Sequence, residues 1–458
     1  MNKIRRTYNQ GNRANNSKYR INDYDIKRIN HSLYIIRHSL VKLCFSSIFI
    51  SLYPLFFCSV SAQNSDSIVR REMAVYGIRF TDDNNVHVLQ SGQAKFDDLF
   101  AAIRQARHSV HLEYFNFRND SIASLLFEIL REKRREGVEI RALFDGFGND
   151  SNNQPLLKRH ITALRNDSID IHEYDPIRFP WINHIWPRDH RKIVVIDGRI
   201  GYTGGMNVAD YYIKGTEQVG EWRDLHSRIE GSAVNDLQLI FREIWFKVTG
   251  ERLTDPAYFR GGRSGNKTVG IMNREPGAVY TADGYLLGRN DAVRRFYIAA
   301  INAAQDSINL INPYLTLSPS LWKALRRAIK RGVKLNIMIS QKSDIPLTPD
   351  CVFYNAHKLM KMGANVWVYQ PGFHHSKIMM VDGCFCTIGS SNLNSRSLRF
   401  DYEDNAIILS RETTAELDQM FNRDKKKSEL MTPEWWRTKR SSWAKFRGWF
   451  AHLLAFTL

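Results

Sequence analysis

Residues 190–207 read HRKIVVIDGRIGYTGGMN, and residues 375–392 read HSKIMMVDGCFCTIGSSN. Each stretch sets a histidine and a lysine two apart, follows them with a short apolar run and Asp-Gly, and closes on Gly-(Gly/Ser)-x-Asn. His190 and His375 differ by 185, as do Lys192 and Lys377, Asp197 and Asp382, Gly204 and Gly389, and Asn207 and Asn392. The flanks repeat too. HSVHLEYFNF (108–117) parallels DSINLINPYL (306–315), and REGVEIRALFD (135–145) parallels KRGVKLNIMIS (330–340). A unit of about 180 residues that occurs twice is a duplicated domain, well beyond the length of a solenoid repeat.

Within each half, helical and strand patterns alternate. DDLFAAIRQARHS leads to VHLEYF, then SLLFEILREKRREG to VEIRALF; the second half matches with DAVRRFYIAAINAAQDS, INLINPY, LWKALRRAIKRG and VKLNIMI. This predicts an α/β fold of two pseudo-symmetric halves, each a mixed sheet flanked by helices. The halves are expected over 63–250 and 271–425, joined by a Gly-rich, charged connector at 251–270.

The motif has a local geometry. KIVVI and KIMMV are strand-like runs that end in Asp-Gly, a strong hairpin signal. His190 and Lys192 share one strand face, as do His375 and Lys377. Asp197 and Asp382 open the turns, where their carboxylates bind backbone amides; turn chemistry is the preferred reading over direct catalysis. Gly204-Gly205 and Gly389-Ser390 permit close backbone approach. Asn207 and Asn392 are expected near helix starts, each offering an amide to the same spot. A lone His-x-Lys is an ordinary surface pair. Two pairs brought together by pseudo-symmetry surround one cleft with imidazoles, ammonium groups and amides, which suits a phosphodiester. One histidine attacks phosphorus, the other protonates the leaving oxygen, and lysines and asparagines hold the non-bridging oxygens. Repulsion among the cations keeps one imidazole neutral. No metal ligands are needed and no cofactor is implied.

This doubled signature resembles the phospholipase D superfamily. VHLEYFNFRND, WRDLHSRIEGSAV (222–234) and GSSNLNSRSLRFDYEDN (389–405) look like bacterial cardiolipin synthases of the two-motif type, a resemblance covering roughly 75–425. It implies a catalytic set of His190, Lys192, Asp197, His375, Lys377 and Asp382, with Asn207 and Asn392 on the substrate phosphate. Asp224 and Glu403 are candidate carboxylates that orient the histidines, an ordinary cap or ion-pair role being the alternative. The implied reaction is ping-pong transfer: His190 takes the phosphatidyl group of one phosphatidylglycerol and releases glycerol, and a second phosphatidylglycerol then attacks to give cardiolipin. His375 is the general acid and base. A secreted or membrane-bound phospholipase D, hydrolysing to phosphatidic acid, would keep all these residues and is the alternative; a nuclease or phosphodiesterase is a third.

Charge placement bears on that choice. The net charge is +18, yet residues 1–42 hold ten Lys/Arg against two Asp, and residues 423–458 hold nine against three acids. The middle is nearly neutral, unlike a groove that tracks nucleic-acid phosphates, so no nucleic-acid partner is expected. Basic ends beside apolar segments suit an anionic membrane surface. After a basic arm (1–42), residues 43–62 contain CFSSIFISLYPLFFCSVSA (44–62), read as a signal peptide or a single membrane anchor. Positive charge ahead of it puts the catalytic body on the extracytoplasmic side. The tail 426–458 interleaves Trp435, Trp436, Trp443, Trp449 and Phe450 with Arg and Lys. It suits a helix lying in the headgroup layer, against the alternative of a terminal helix docked on the protein's own core. Trp181 and Trp186 either line an acyl-chain groove or pack beside the cleft. Cys384 and Cys386 are expected to share one strand face as packing residues.

Overall fold

A computed structural model describes residues 65–178, 187–280, 286–289, 291–345 and 348–453. The basic arm, the apolar segment 43–62, Trp181 and Trp186 lie outside the described residues. Among those described, no helix is long and apolar enough to cross a membrane.

The first half contributes β1 (Phe80–Leu89), β2 (Ser109–Tyr114), β3 (Glu139–Asp145), β4 (Asp170–Tyr174), β5 (Ile193–Ile196), β6 (Ile200–Gly204), β7 (Glu221–Arg223) and β8 (His226–Glu230). The second contributes β9 (Lys267–Arg274), β10 (Ala278–Tyr280), β11 (Leu286–Arg289), β12 (Ser307–Ile311), β13 (Lys334–Ser340), β14 (Asn365–Tyr369), β15 (Gly372–His374), β16 (Ile378–Val381), β17 (Phe385–Gly389), β18 (Glu403–Leu409) and β19 (Ser428–Leu430). One 15-stranded sheet runs β19-β14-β13-β12-β16-β17-β18-β9-β1-β8-β6-β5-β2-β3-β4. The series β14-β13-β12-β16-β17-β18-β9 matches β4-β3-β2-β5-β6-β8-β1 strand for strand, so the duplicated sequence is a duplicated topology. β1 and β9 are equivalent strands and pair antiparallel at the centre, with Phe80 opposite Gly270 and Thr81 opposite Val269.

The expected helices and strands form with small shifts. The first of the expected helices runs Gly92–Gln105, starting earlier than the apolar pattern because Ser91 caps it by accepting from the Ala94 amide at 3.1 Å. β2 and β5 are buried along their whole length in a sheet covered on both sides, β5 as a continuous apolar run and β2 with Ser109, His111 and Glu113 buried on one face. Residues 267–270, read as connector, form the start of β9. The helix Ser65–Ala74, counted with the first half, packs Val69 and Met73 against Val293, Phe296 and Ala300 of the second.

Both Asp-Gly pairs make tight hairpin turns. Asp197 and Gly198 sit at φ +52° and +63°, and Asp382 and Gly383 at +53° and +60°, left-handed values at both central positions. Each aspartate then ties its turn to the start of the neighbouring strand. Asp197 accepts from the amides of Arg107 (2.9 Å), His108 (2.7 Å) and Ser109 (2.9 Å). Asp382 accepts from Gln305 (2.9 Å), Asp306 (2.8 Å) and Ser307 (2.9 Å). The same turn alters the cysteine reading. Cys384 still belongs to the turn and packs with Phe385 in the second-half core, whereas Cys386 faces the core shared by both halves. They do not share a face; both are buried and free.

The tail docks and stays partly open. Trp435 is buried and stacks on Phe353, and Trp436 stacks on His357 at 4.0 Å, so these two are packing residues. The last helix, Ser442–Leu453, lies against the helix Thr348–Lys361. Gly448 meets the Asp350 carbonyl with no room for a Cβ, and Arg440 and Arg447 pair with the Asp350 carboxylate. Its other face leaves Trp443, Phe446, Trp449, Phe450 and Leu453 between 43% and 63% exposed.

Candidate active site

Each His-x-Lys lies in an extended segment just ahead of a hairpin strand, and each segment is stitched to the opposite half. The His190 amide donates to the Tyr402 carbonyl at 3.1 Å, and the His375 amide donates to the Arg223 carbonyl at 2.6 Å. β15 pairs in parallel with β7, setting His374 beside Arg223, while Asp189 bridges to Tyr402. The residues that follow these anchors are Glu403 and Asp224. The carboxylates therefore arrive crosswise. His190 Nδ1 lies 3.1 and 3.2 Å from the two oxygens of Glu403, and His375 Nδ1 lies 2.7 Å from Asp224 Oδ2. An Nδ1–H held by a carboxylate fixes the tautomer and turns Nε2 toward the cleft.

The motif glycines now have a local reason. A Cβ on Gly205 would overlap the Asp224 carboxylate. At the equivalent position, Ser390 keeps its side chain and donates its hydroxyl to Glu403. Lys192 donates to the His190 carbonyl and lies 5.3 Å from the Phe115 ring centre. Lys377 donates to the His375 carbonyl at 2.5 Å, and its Nζ is 2.9 Å from Nε2 of the same ring.

Burial and charge set the protonation states. Burial first, and then Lys192 and Lys377, hold the His190 imidazole well below its ordinary value. Burial and Lys377 also lower His375, with Asp224 opposing them. Burial brings Lys192 down to about 8 and Lys377 down to about 7, against the pull of Glu403 and Asp224 respectively. The two carboxylates diverge. Burial works to raise both, and it carries Glu403 up to about 7 despite Lys192. Lys377 and His375 together overcome burial at Asp224 and hold it at about 2. At neutral pH, His375 faces a firm anion and His190 a carboxylate near its midpoint.

His190, His375, Asn207 and Asn392 line one cleft of about 1120 Å³, whose walls include Phe115, Phe147, Trp222 and Tyr314. Phe115 stands edge-on to His190 at 5.0 Å. Trp443, Phe446 and Phe450 of the last helix line the same cleft. Neither asparagine caps a helix: Asn394, two residues after Asn392, caps Ser395–Arg399 through the Ser397 amide, and Asn207 leads into the bridge between Val208 and Phe117. Asp197 and Asp382, grouped with the catalytic residues in the sequence, stand in the turns described above and do not line the cleft. Their three amide bonds each occupy them as structural anchors.

Sequence reasoning missed Lys95, Phe115, Trp222, Tyr314 and Arg396. Lys95 is fully buried over Phe96 and Tyr114 and donates to the Asn207 carbonyl at 3.0 Å, so it positions the asparagine loop. A lysine at a core-facing position of an amphipathic helix was the available signal. Arg396 pairs with Asp401 at 2.5 Å in the cleft wall. Among the described residues, no group of three or more His, Cys, Asp or Glu converges as metal ligands.

A model of the phospholipase D-like domain of cardiolipin synthase matches residues 99–222 and 297–425, the two halves of the repeat. A probable cardiolipin synthase of Bacillus subtilis is 33% identical over 351 residues, covering 76% of this chain and 68% of that protein. Cardiolipin synthase 2 of Staphylococcus epidermidis is 34% identical over 378 residues, covering 82% and 75%. Among solved structures, a phosphatidylserine synthase of Haemophilus influenzae aligns over 85% of this chain and 100% of its own, with TM-score 0.60 at 14% identity, a likeness of fold. With the duplicated motif, the doubled sheet and these relatives in agreement, the chain belongs to the phospholipase D-like cardiolipin synthase family.

Proposed function

We propose that this protein is a phosphatidyltransferase that converts two phosphatidylglycerol molecules to cardiolipin and glycerol. The observation that carries the reading is the pair of imidazoles, each braced by the other half's carboxylate, facing one aromatic-walled cleft. Its volume exceeds that of an ordinary small-molecule pocket and suits a lipid head group with the first part of its chains.

In the first step, Nε2 of His190 attacks phosphorus, the bond from phosphorus to the glycerol oxygen breaks, and His375 gives that oxygen its proton. In the second, a hydroxyl of another phosphatidylglycerol loses its proton to His375 as its oxygen attacks phosphorus, and the N–P bond breaks. The electrostatics support this division. A nucleophile must be neutral, and His190 is held well below its ordinary value. An acid must carry a proton in the step it assists; burial and Lys377 lower His375 as well, and the firm Asp224 anion opposes them and supports its cation. Lys192, Lys377, Asn207 and Asn392 would stabilise charge on the non-bridging oxygens.

The partner surface is an anionic bilayer. The exposed aromatic face of Ser442–Leu453, with Lys445 in the same helix, supports insertion at the headgroup level beside the cleft mouth. The basic residues ahead of 44–62 support placing the body on the extracytoplasmic side.

The test incubates the purified full chain with phosphatidylglycerol vesicles at low and raised glycerol and separates the lipids. Cardiolipin that falls as glycerol rises marks reversible transfer. Phosphatidic acid as the sole product would mean that water takes the intermediate, and the protein would be a phospholipase D.

A further inference from the structure

The cleft is built for an anion, yet its wall contains a carboxylate that forms no ion pair among the described residues, although Lys377 and His375 feel its charge. Two acids line the cleft, Asp344 and Asp401, and Asp224 and Glu403 stand behind the histidines. Asp224 and Glu403 are taken by the histidines, and Asp401 accepts from Arg396 and from the Arg188 amide at 3.0 Å. Asp344 is different. It lies on the loop after β13 and lines the cleft, and its side-chain partners are hydroxyls: Tyr314 Oη donates to Oδ1 at 2.6 Å, and Ser343 Oγ donates at 3.2 Å. Gln218 of the first half holds the loop in place by donating to the Ser343 and Asp344 carbonyls, each at 3.4 Å. The Tyr314 ring stands 6.0 Å from the His375 ring. Thr316, in the same wall and 5% exposed, has a hydroxyl with no partner among the described residues.

A fixed negative charge here opposes binding of a phosphodiester, so its presence calls for a ligand group that offsets the repulsion. Neutral hydroxyls are such a group, because each donates to a carboxylate in a charge-assisted bond. We propose that Asp344, with Tyr314, forms a polyol subsite that recognises the glyceryl head group on the His375 side of the cleft. The inference rests on the transferase reading above. By microscopic reversibility the head group that leaves and the hydroxyl that arrives occupy the same position. One subsite for glyceryl hydroxyls therefore serves both half-reactions, and it biases the intermediate toward a polyol and away from water.

The experiment compares kcat/KM of the full chain for phosphatidylglycerol and for phosphatidylpropanol, whose three-carbon head group lacks both free hydroxyls. A site that hydrogen-bonds a substrate hydroxyl rejects the analogue without it strongly. The wild-type ratio should favour phosphatidylglycerol, and Asp344→Asn should lower that ratio at least about tenfold. Tyr314→Phe removes one donor and leaves the carboxylate, so it should shift the ratio in the same direction by less. A ratio within about twofold of wild type in Asp344→Asn overturns the proposal. So does an equal loss with both donors, which would assign Asp344 to the fold, and so does an equal shift in both variants, which would reduce Asp344 to a support for Tyr314. Wild-type protein that yields phosphatidic acid and no cardiolipin would instead remove the transferase reading, and the selectivity ratio would still be measurable for hydrolysis.

Discussion

Exchanging the two orienting carboxylates one at a time separates the roles of the two histidines. In Asp224→Asn the side chain keeps its shape beside Gly205, so the cleft wall is preserved. The loss falls on His375 when it holds the transferred proton, because its imidazolium then gives up a 2.7 Å bond to a firm anion. Breaking a buried charged pair costs about 3–5 kcal/mol, and an amide in place of the orienting carboxylate of a catalytic histidine lowers kcat about 10⁴-fold. Turnover of phosphatidylglycerol should therefore fall about 10²–10⁴-fold. From phosphatidyl-p-nitrophenol the leaving group is p-nitrophenolate, which departs without a proton from His375, so its burst should fall less than about tenfold. Glu403→Gln acts on His190, the proposed nucleophile, and should slow both donors by the same factor. That factor should be smaller, about 10–10²-fold, because Glu403 is only part-ionised near neutrality. The assay is release of glycerol or p-nitrophenol under single-turnover conditions. If Asp224→Asn cut both donors alike while Glu403→Gln spared p-nitrophenol, the crosswise assignment of roles would be refuted.

Three further predictions follow from the same geometry. Asp197→Ala and Asp382→Ala each remove three amide bonds at a left-handed turn position and should lower stability by about 3 kcal/mol in urea melts, while the activity per folded molecule stays near wild type. The pH profile of kcat/KM should be a narrow bell about neutrality: Glu403 loses its proton as pH rises through about 7 and becomes the acceptor His190 needs, whereas Lys377 and Lys192 lose their charge through about 7 and about 8. Glu403→Gln should abolish the acid limb, and a bound phosphate should move the alkaline limb of kcat upward. Trp449→Glu, on the exposed face of the last helix and outside the cleft, should weaken sedimentation with anionic vesicles at least about fivefold while turnover of short-chain monomeric phosphatidylglycerol holds.

The features legible in the sequence were those set by short-range chemistry. His-x-Lys followed by an apolar run and Asp-Gly specifies an extended segment, a strand and a tight turn, and the repeat then implies a second copy of each. What escaped reading depends on the other half. Glu403 lies 213 residues from the histidine it holds, and no spacing within one motif says that the partners are exchanged. Asp224 and Glu403 stood out as acids near each motif; only the Arg223 and Tyr402 anchors decide which histidine each reaches. Trp435 shows a second limit. Composition groups it with Trp443 and Trp449, but a stack on Phe353 takes it into the core, and only packing distinguishes the three. The helix Ser65–Ala74 likewise sits beside one half in sequence and buries its apolar side against the other.

The most direct test of the central claim maps the covalent intermediate. The full chain would be mixed with phosphatidyl-p-nitrophenol, quenched within one turnover, digested and analysed by mass spectrometry, in wild type and in His375→Ala. The account predicts a phosphatidyl adduct on His190 in both, longer-lived in His375→Ala because no base remains to activate the acceptor. An adduct on His375 in wild type, or steady turnover in His190→Ala, would contradict it.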